Sequence, residues 1–258
     1  MPEIISVHSF RGGTGKSNLV ANMATLLAMQ GNRVGIVDTD IQSPGVHVLF
    51  GFDEQPLQRT LNDYLWSRAS IEETAFALGD LDDVQRPFLK NLKLWLIPSS
   101  VQPNDIANIL RKGYDVNLLQ KGFHHLVKSL ELDYLIIDTH PGLDEETLLA
   151  IAMSNTLVLM LRTDKQDKHG TAVTIDIARK LEVPKIQLVV NHVPARYDFA
   201  QIRNDISTAY NVPVAGLLPL SEDVAVNGSG NIFCALYPDH PWTQAVRAMT
   251  EHIIGKTE

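Results

Sequence analysis

Residues 12–17 read Gly-Gly-Thr-Gly-Lys-Ser, between a short apolar run at 4–7 and a longer helix-compatible stretch. This fragment constrains the fold more than any other, because it needs a strand before it and a helix after it. Glycines let backbone N–H groups approach phosphate oxygens, and the helix N-terminus adds positive potential. A lysine in that place reaches the β- and γ-phosphates, and the hydroxyl beside it ligates Mg²⁺. Gly12, Gly13, Thr14, Gly15, Lys16, Ser17 and the following Asn18 are therefore candidate nucleotide-binding residues, with Ser17 also a metal ligand.

The rest of the chain repeats the strand-then-helix order. Apolar, β-rich runs lie at 4–10, 33–40, 92–100, 134–140, 156–164, 186–193 and 212–220. Runs such as Tyr-Leu-Ile-Ile and Thr-Leu-Val-Leu-Met-Leu are nearly continuous, which suits strands covered on both faces. Between them, 16–30, 104–111, 116–130, 145–153, 170–181, 199–210 and 242–254 read as helices, with Gly31 at a left-handed cap and Pro103 and Pro141 at helix starts. The expectation is a doubly wound α/β fold of the phosphate-loop NTPase type: a mainly parallel sheet with helices on both faces. All of 1–258 reads as one domain, with an insertion at 50–91 that holds short helices at 60–66 and 71–78 and an acidic loop, Gly-Asp-Leu-Asp-Asp-Val-Gln, at 79–85.

Composition removes several alternatives. Lys and Arg total 22 against 30 Asp and Glu, so the net charge of −8 gives no global attraction to nucleic acid or an anionic membrane. A local basic group, Lys165, Lys168, Arg179, Lys180, Lys185, Arg196 and Arg203, leaves non-specific DNA binding as an expectation to test. The one cysteine, Cys234, excludes an internal disulfide and suits a reducing cytoplasm. The N-terminus does not read as a signal peptide, and no apolar run reaches the ~18 residues a spanning helix requires. Trp242, Val246, Met249 and Ile253 make an apolar stripe at helical spacing, read here as core packing.

Three carboxylates stand where such a loop needs them. Asp38 and Asp40 lie two residues apart at the end of one apolar run, hence on the same face of a strand, and Asp138 ends another, Tyr-Leu-Ile-Ile-Asp. An aspartate at a strand end near a phosphate loop supports Mg²⁺.

Arg11, directly before the glycines, gives the loop a signature. Arg-Gly-Gly-Thr-Gly-Lys-Ser resembles the deviant phosphate loop of the ParA/MinD family, Lys-Gly-Gly-x-Gly-Lys-Ser/Thr, with arginine in place of the signature lysine. The resemblance extends over nearly the whole chain and is weakest at 50–91. It implies that Arg11 reaches across a dimer to the partner's nucleotide; the plainer reading is a locally paired surface arginine. It also implies that Asp40 orients or deprotonates the attacking water, that Asp38 and Asp138 support Mg²⁺, and that Gly142 of Asp-Thr-His-Pro-Gly senses the γ-phosphate. His140 in that segment reads as a surface loop histidine. Asn191, at a strand end, is implied to lie beside adenine and Pro219 to pack on the base. The segment Asp164-Lys165-Gln166-Asp167 is similar to a guanine reader but has Asp in its first position, so ATP is preferred over GTP. The resemblance implies a Mg²⁺–ATP hydrolase with Lys16, Asp40 and Arg11 as its catalytic residues. Such an enzyme forms a homodimer in the ATP state, is stimulated by a partner protein, and positions or partitions DNA or a large complex. The alternative is a nucleotide-binding regulatory scaffold with negligible hydrolysis. Relatives that carry iron–sulfur clusters need cysteine ligands, which this chain lacks.

Overall fold

A computed structural model describes residues 2–52, 57–81 and 86–256. All seven apolar runs are strands, and an eighth short strand joins them. In chain order they are β1 (Glu3–His8), β2 (Val34–Asp38), β3 (Phe76–Ala77), β4 (Leu94–Ile97), β5 (Tyr134–Asp138), β6 (Thr156–Leu161), β7 (Lys185–Val193) and β8 (Val214–Pro219). They form one sheet in the order β3-β4-β2-β5-β1-β6-β7-β8, parallel throughout except for β3. Register places Asp38 opposite Asp138 and Val7 opposite Asp138, so β1, β2 and β5 end level. The crevice outside those ends is where open α/β sheets bind ligands.

The helices are α1 (Lys16–Met29), α2 (Val46–Leu49), α3 (Leu61–Leu65), α4 (Pro103–Lys112), α5 (Asn117–Ser129), α6 (Glu145–Met153), α7 (Lys165–Lys180), α8 (Phe199–Tyr210), α9 (Glu222–Asn227), α10 (Phe233–Leu236) and α11 (Pro241–Ile253). Side chains of β6 alternate between two layers: Val158 and Met160 join a core with α1, α10 and α11, while Leu157, Leu159 and Leu161 pack with Ile175 of α7 and Ile206 of α8. A further core on that second face gathers Leu61, Phe123, Leu126 and Leu135. The stripe Trp242, Val246, Met249 and Ile253 is buried core, as expected. Helix α1 is buried on nearly all sides, and its Asn22 accepts a hydrogen bond from the Cys234 N–H at 2.8 Å. Among the described residues no helix is long and apolar enough to cross a membrane.

Two helix expectations change. The helix expected at 170–181 starts at Lys165, because Asp164 accepts hydrogen bonds from the N–H groups of Gln166 and Asp167 and so caps it. The helix expected at 71–78 is absent. A single 3₁₀ turn at Glu72–Thr74 ends where the Thr74 hydroxyl bonds back to Ile71 O, and Phe76 and Ala77 then pair antiparallel with Leu96 and Trp95. Gly79 lies against Leu92, so close that a Cβ there would sit 2.0 Å from Leu92 O. In the acidic stretch at 79–85, residues 82–85 lie outside the described residues.

Candidate functional site

The phosphate loop leaves β1 at His8 and enters α1 at Lys16. Gly13 and Gly15 have φ of 73° and 93°, the left-handed region that a side chain disfavours. Space also demands glycine at 15, where a Cβ would meet Asn191 Nδ2 at 2.7 Å. The loop is held from within: Thr14 Oγ1 donates to Ser9 Oγ, and Ser9 Oγ donates to Arg11 O. From outside, Asn191 Nδ2 donates to Thr14 O at 2.8 Å while its Oδ1 accepts the His192 N–H. Asn191 thus braces the loop as well as lying beside the adjoining cavity.

Lys16 is only 7% exposed, yet makes no ion pair within 4 Å among the described residues. Asp38 and Asp138 are buried near it at the ends of β2 and β5. Asp38 accepts N–H bonds from Asp40, Gly45 and Val46. Even so, burial first, and then Asp138 and Asp40, push its carboxyl well above the usual range. Neither Asp138 oxygen has a hydrogen bond of good geometry among the described residues, although the Ser17 hydroxyl lies close by. Burial raises Asp138 to about 6, although Lys16 and the Ser17 hydroxyl pull it back. A buried carboxylate without a well-formed hydrogen bond, beside a hydroxyl and a second carboxylate, is a hard-oxygen donor set that suits Mg²⁺.

Two histidines complete this face. His140 is half-buried, not a surface residue as the sequence suggested: its side chain is 23% exposed and its Nδ1 donates to Asp40 Oδ1 at 2.8 Å. The correction has a simple cause, since the Thr147 hydroxyl donates to His140 O and draws the loop onto α6. His8 was not singled out in the sequence. Its ring is fully buried, with Nδ1 2.7 Å from Thr139 Oγ1, and that hydroxyl donates onward to Val7 O. Burial, then Lys16 and His140, lower His8 to about 3, so it stays neutral near neutral pH. The one sign of it in the sequence was a polar residue ending an apolar strand. Gly142, with φ of 106°, follows on the same loop, and Pro141 lies 3.8 Å from where a Gly12 Cβ would be.

Arg11 lies on the other side of the loop. Its guanidinium is 3.6 Å from Asp167 and 3.9 Å from Asp164, with the side chain 42% exposed. Asp167 is also held by Arg162, through N–H at 3.1 Å and Nε at 2.9 Å. The two aspartates of the guanine-reader-like segment are therefore a helix cap and an arginine anchor, and neither lines the cavity beside the loop. That cavity, about 190 Å³, is lined by Gly15, Asn18, Asn191, Pro219, Val224 and Trp242, among others. Asn18 thus borders the cavity, as Asn191 and Pro219 do. In the basic group, Arg179, Lys185 and Arg203 bond to backbone carbonyls of Tyr210, Ile253 and Val214, and so serve the fold.

Comparison with known proteins agrees with this geometry. An uncharacterized ATP-binding protein of Methanocaldococcus jannaschii is 27% identical over 252 residues, covering 97% of this chain and 87% of the relative. An iron–sulfur cluster carrier protein of Pyrococcus horikoshii is 25% identical, covering 98% and 85%. The fold matches that of the septum site-determining protein MinD of Pyrococcus horikoshii, complexed with Mg-ADP, at a TM-score of 0.80 and 20% identity, over 98% of this chain and 96% of that one. The ParA family model, described as NUBPL iron-transfer P-loop NTPase, matches residues 1–254, and the chain belongs to that family of P-loop NTPases.

Proposed function

We propose that this protein is a Mg²⁺–ATP-dependent dimerisation switch, reset by slow ATP hydrolysis, that positions or partitions DNA or a large complex in the cytoplasm. The observation that carries the reading is the unfinished charge cluster at the ends of β2 and β5: a buried lysine, two buried carboxylates with raised pKa, and Asp138 with neither oxygen in a hydrogen bond of good geometry among the described residues. Such a cluster is costly in a folded protein unless a ligand completes it. Lys16 and the loop N–H groups bind the β- and γ-phosphates, and Ser17, Asp38 and Asp138 are the residues that would hold Mg²⁺. When bound, the metal offsets charge on the phosphate oxygens. Asp40 orients a water for in-line attack on the γ-phosphorus and takes its proton. In this reading Arg11 leaves Asp164 and Asp167 and answers phosphate charge in a second subunit. The cavity beside Gly15 takes the base, with adenine preferred.

The cargo named for the Pyrococcus horikoshii carrier is not carried over. A transferable iron–sulfur cluster is held by thiolates. This chain has a single cysteine, Cys234, 1% exposed, whose thiol burial pushes up to about 12.

Light scattering on size-fractionated protein tests the switch. With Asp40→Ala to block hydrolysis, Mg²⁺–ATP is expected to double the mass, while Mg²⁺–ADP and nucleotide-free protein stay monomeric. Equal mass in all three states rejects it. Turnover with and without cell extract separates the switch from the regulatory scaffold, which binds ATP and releases no phosphate under either condition.

A further inference from the structure

We propose that His140 is a positioning residue for hydrolysis: its Nδ1–H holds one oxygen of Asp40 so that the other stays free for the water. This inference rests on the reading of Asp40 given above.

The hydrogen bonds to the Asp40 carboxylate are one-sided. Oδ1 accepts the Ser43 N–H at 3.0 Å and His140 Nδ1 at 2.8 Å. No described residue donates to Oδ2. A carboxylate with two donors on one oxygen cannot turn about its Cβ–Cγ bond without breaking both, so the free oxygen keeps a fixed direction. The acceptor also fixes the tautomer, because a carboxylate oxygen accepts a hydrogen bond only from the ring nitrogen that carries the hydrogen.

His140 is itself anchored. Its carbonyl accepts the Thr147 hydroxyl at 3.2 Å, and Asp144 caps the same helix by accepting the Thr147 N–H at 2.9 Å. The ring therefore reaches Asp40 from the loop that α6 anchors, one hundred residues along the chain, and ties the loop after β5 to the loop after β2. Without His140 only the Ser43 N–H holds Oδ1, and a single donor leaves the carboxylate room to turn about its Cβ–Cγ bond.

The test uses the full chain at saturating Mg²⁺–ATP, with single-turnover hydrolysis and the Kd of a fluorescent ATP analogue measured side by side. His140→Ala is expected to slow hydrolysis about tenfold or more, since small misplacement of a reacting group is that costly, with Kd essentially unchanged. His140→Asn is expected to recover most of the rate, because its amide nitrogen sits where the imidazole Nδ1 does. Asp40→Ala is expected to lose about 100-fold or more, the scale of a general base. If the alanine variant does not fold, His140→Gln, with its donor one bond further out, takes its place and is expected to be slow. A wild-type rate in His140→Ala beside a dead Asp40→Ala overturns the inference alone. Equal slowing in the alanine and asparagine variants, with weakened nucleotide binding in both, also overturns it, since that marks a merely structural role. A wild-type rate in Asp40→Ala overturns the reading of Asp40, and the role of His140 with it.

Discussion

Two groups of carboxylates flank the phosphate loop, and they are completed in different ways. Asp164 and Asp167, at the start of α7, meet Arg11, Arg162 and the first N–H groups of the helix. The cap N–H of Asp167, then Arg162 and Arg11, hold Asp164 below the usual carboxylate range. Asp38 and Asp138, at the ends of β2 and β5, are pushed the opposite way, Asp38 by burial and then by Asp138 and Asp40, and Asp138 by burial and by Asp40. The same side chain is thus a finished structural element on one side of the loop and an open demand for cations on the other. Arg11 and Arg162 stand beside the first group, whereas the charge of Lys16 only partly offsets the second.

The largest expected effect falls on the open side. The charge of Lys16 pulls the Asp138 carboxyl down against its burial. Lys16→Ala is expected to weaken ATP binding by about 100-fold, the loss of about 3 kcal/mol from hydrogen bonds to a charged group. Titration with a fluorescent ATP analogue reads this directly. Affinity within a few-fold of wild type would mean that the open cluster is not the nucleotide site.

Next comes Asp138→Asn. Its folded pKa, about 6, stands above its ordinary value of 3.8. A carboxyl raised on folding contributes stability that is fully present below the unfolded pKa and is lost as pH rises through the folded one. Nucleotide-free wild type should therefore lose stability relative to Asp138→Asn between about pH 4 and 6, with a difference on the order of 3 kcal/mol at pH 7. Added Mg²⁺–ATP should reverse the order by stabilising wild type and not the variant. Melting curves across pH 4–8, with and without Mg²⁺–ATP, test both halves, and a variant less stable than wild type without ligand would show the cluster to be satisfied already.

What was legible in the sequence follows the range of the interactions. Helices α6 and α8 run over the bounds that apolar spacing gave, because that signal is local, whereas the first starts from a cap at Asp144 and not at Pro141, four residues before Glu145. The loop glycines and Lys16 were readable for the same reason. The expected helix at 71–78 failed because two of its residues, Phe76 and Ala77, find a better partner in the edge of β4, which the local sequence does not reveal. His140 and His8 escaped for a similar reason: their partners lie 100 and 131 residues away, and only sheet register brings them together. Arg11 was recognisable as unusual, but Asp167, its nearest acid, was legible only as part of a nucleotide-reader pattern that the fold uses otherwise.

Arg11 is where the two groups meet, and Asp167→Asn asks which one it serves. The amide keeps an acceptor for the Arg162 N–H and Nε, so packing is retained and only charge is lost. Both arginines are partly exposed, at 31% and 42%, so water screens the pair and the stability cost should be small. About 1 kcal/mol or less is expected, read as a minor drop in melting temperature. What changes more usefully is the hold on Arg11, which keeps only the 3.9 Å contact with Asp164. If Arg11 acts across a dimer, it must leave this anchor, and the anchor opposes assembly. Asp167→Asn should then shift the Mg²⁺–ATP monomer–dimer midpoint to about eightfold lower protein concentration, since about 0.6 kcal/mol of opposing attraction is removed in each of the two subunits. Sedimentation across a concentration series measures this. An unchanged midpoint, with the melting temperature still lowered, would place Arg11 wholly with its own subunit and make the finished cluster a structural clasp on the loop.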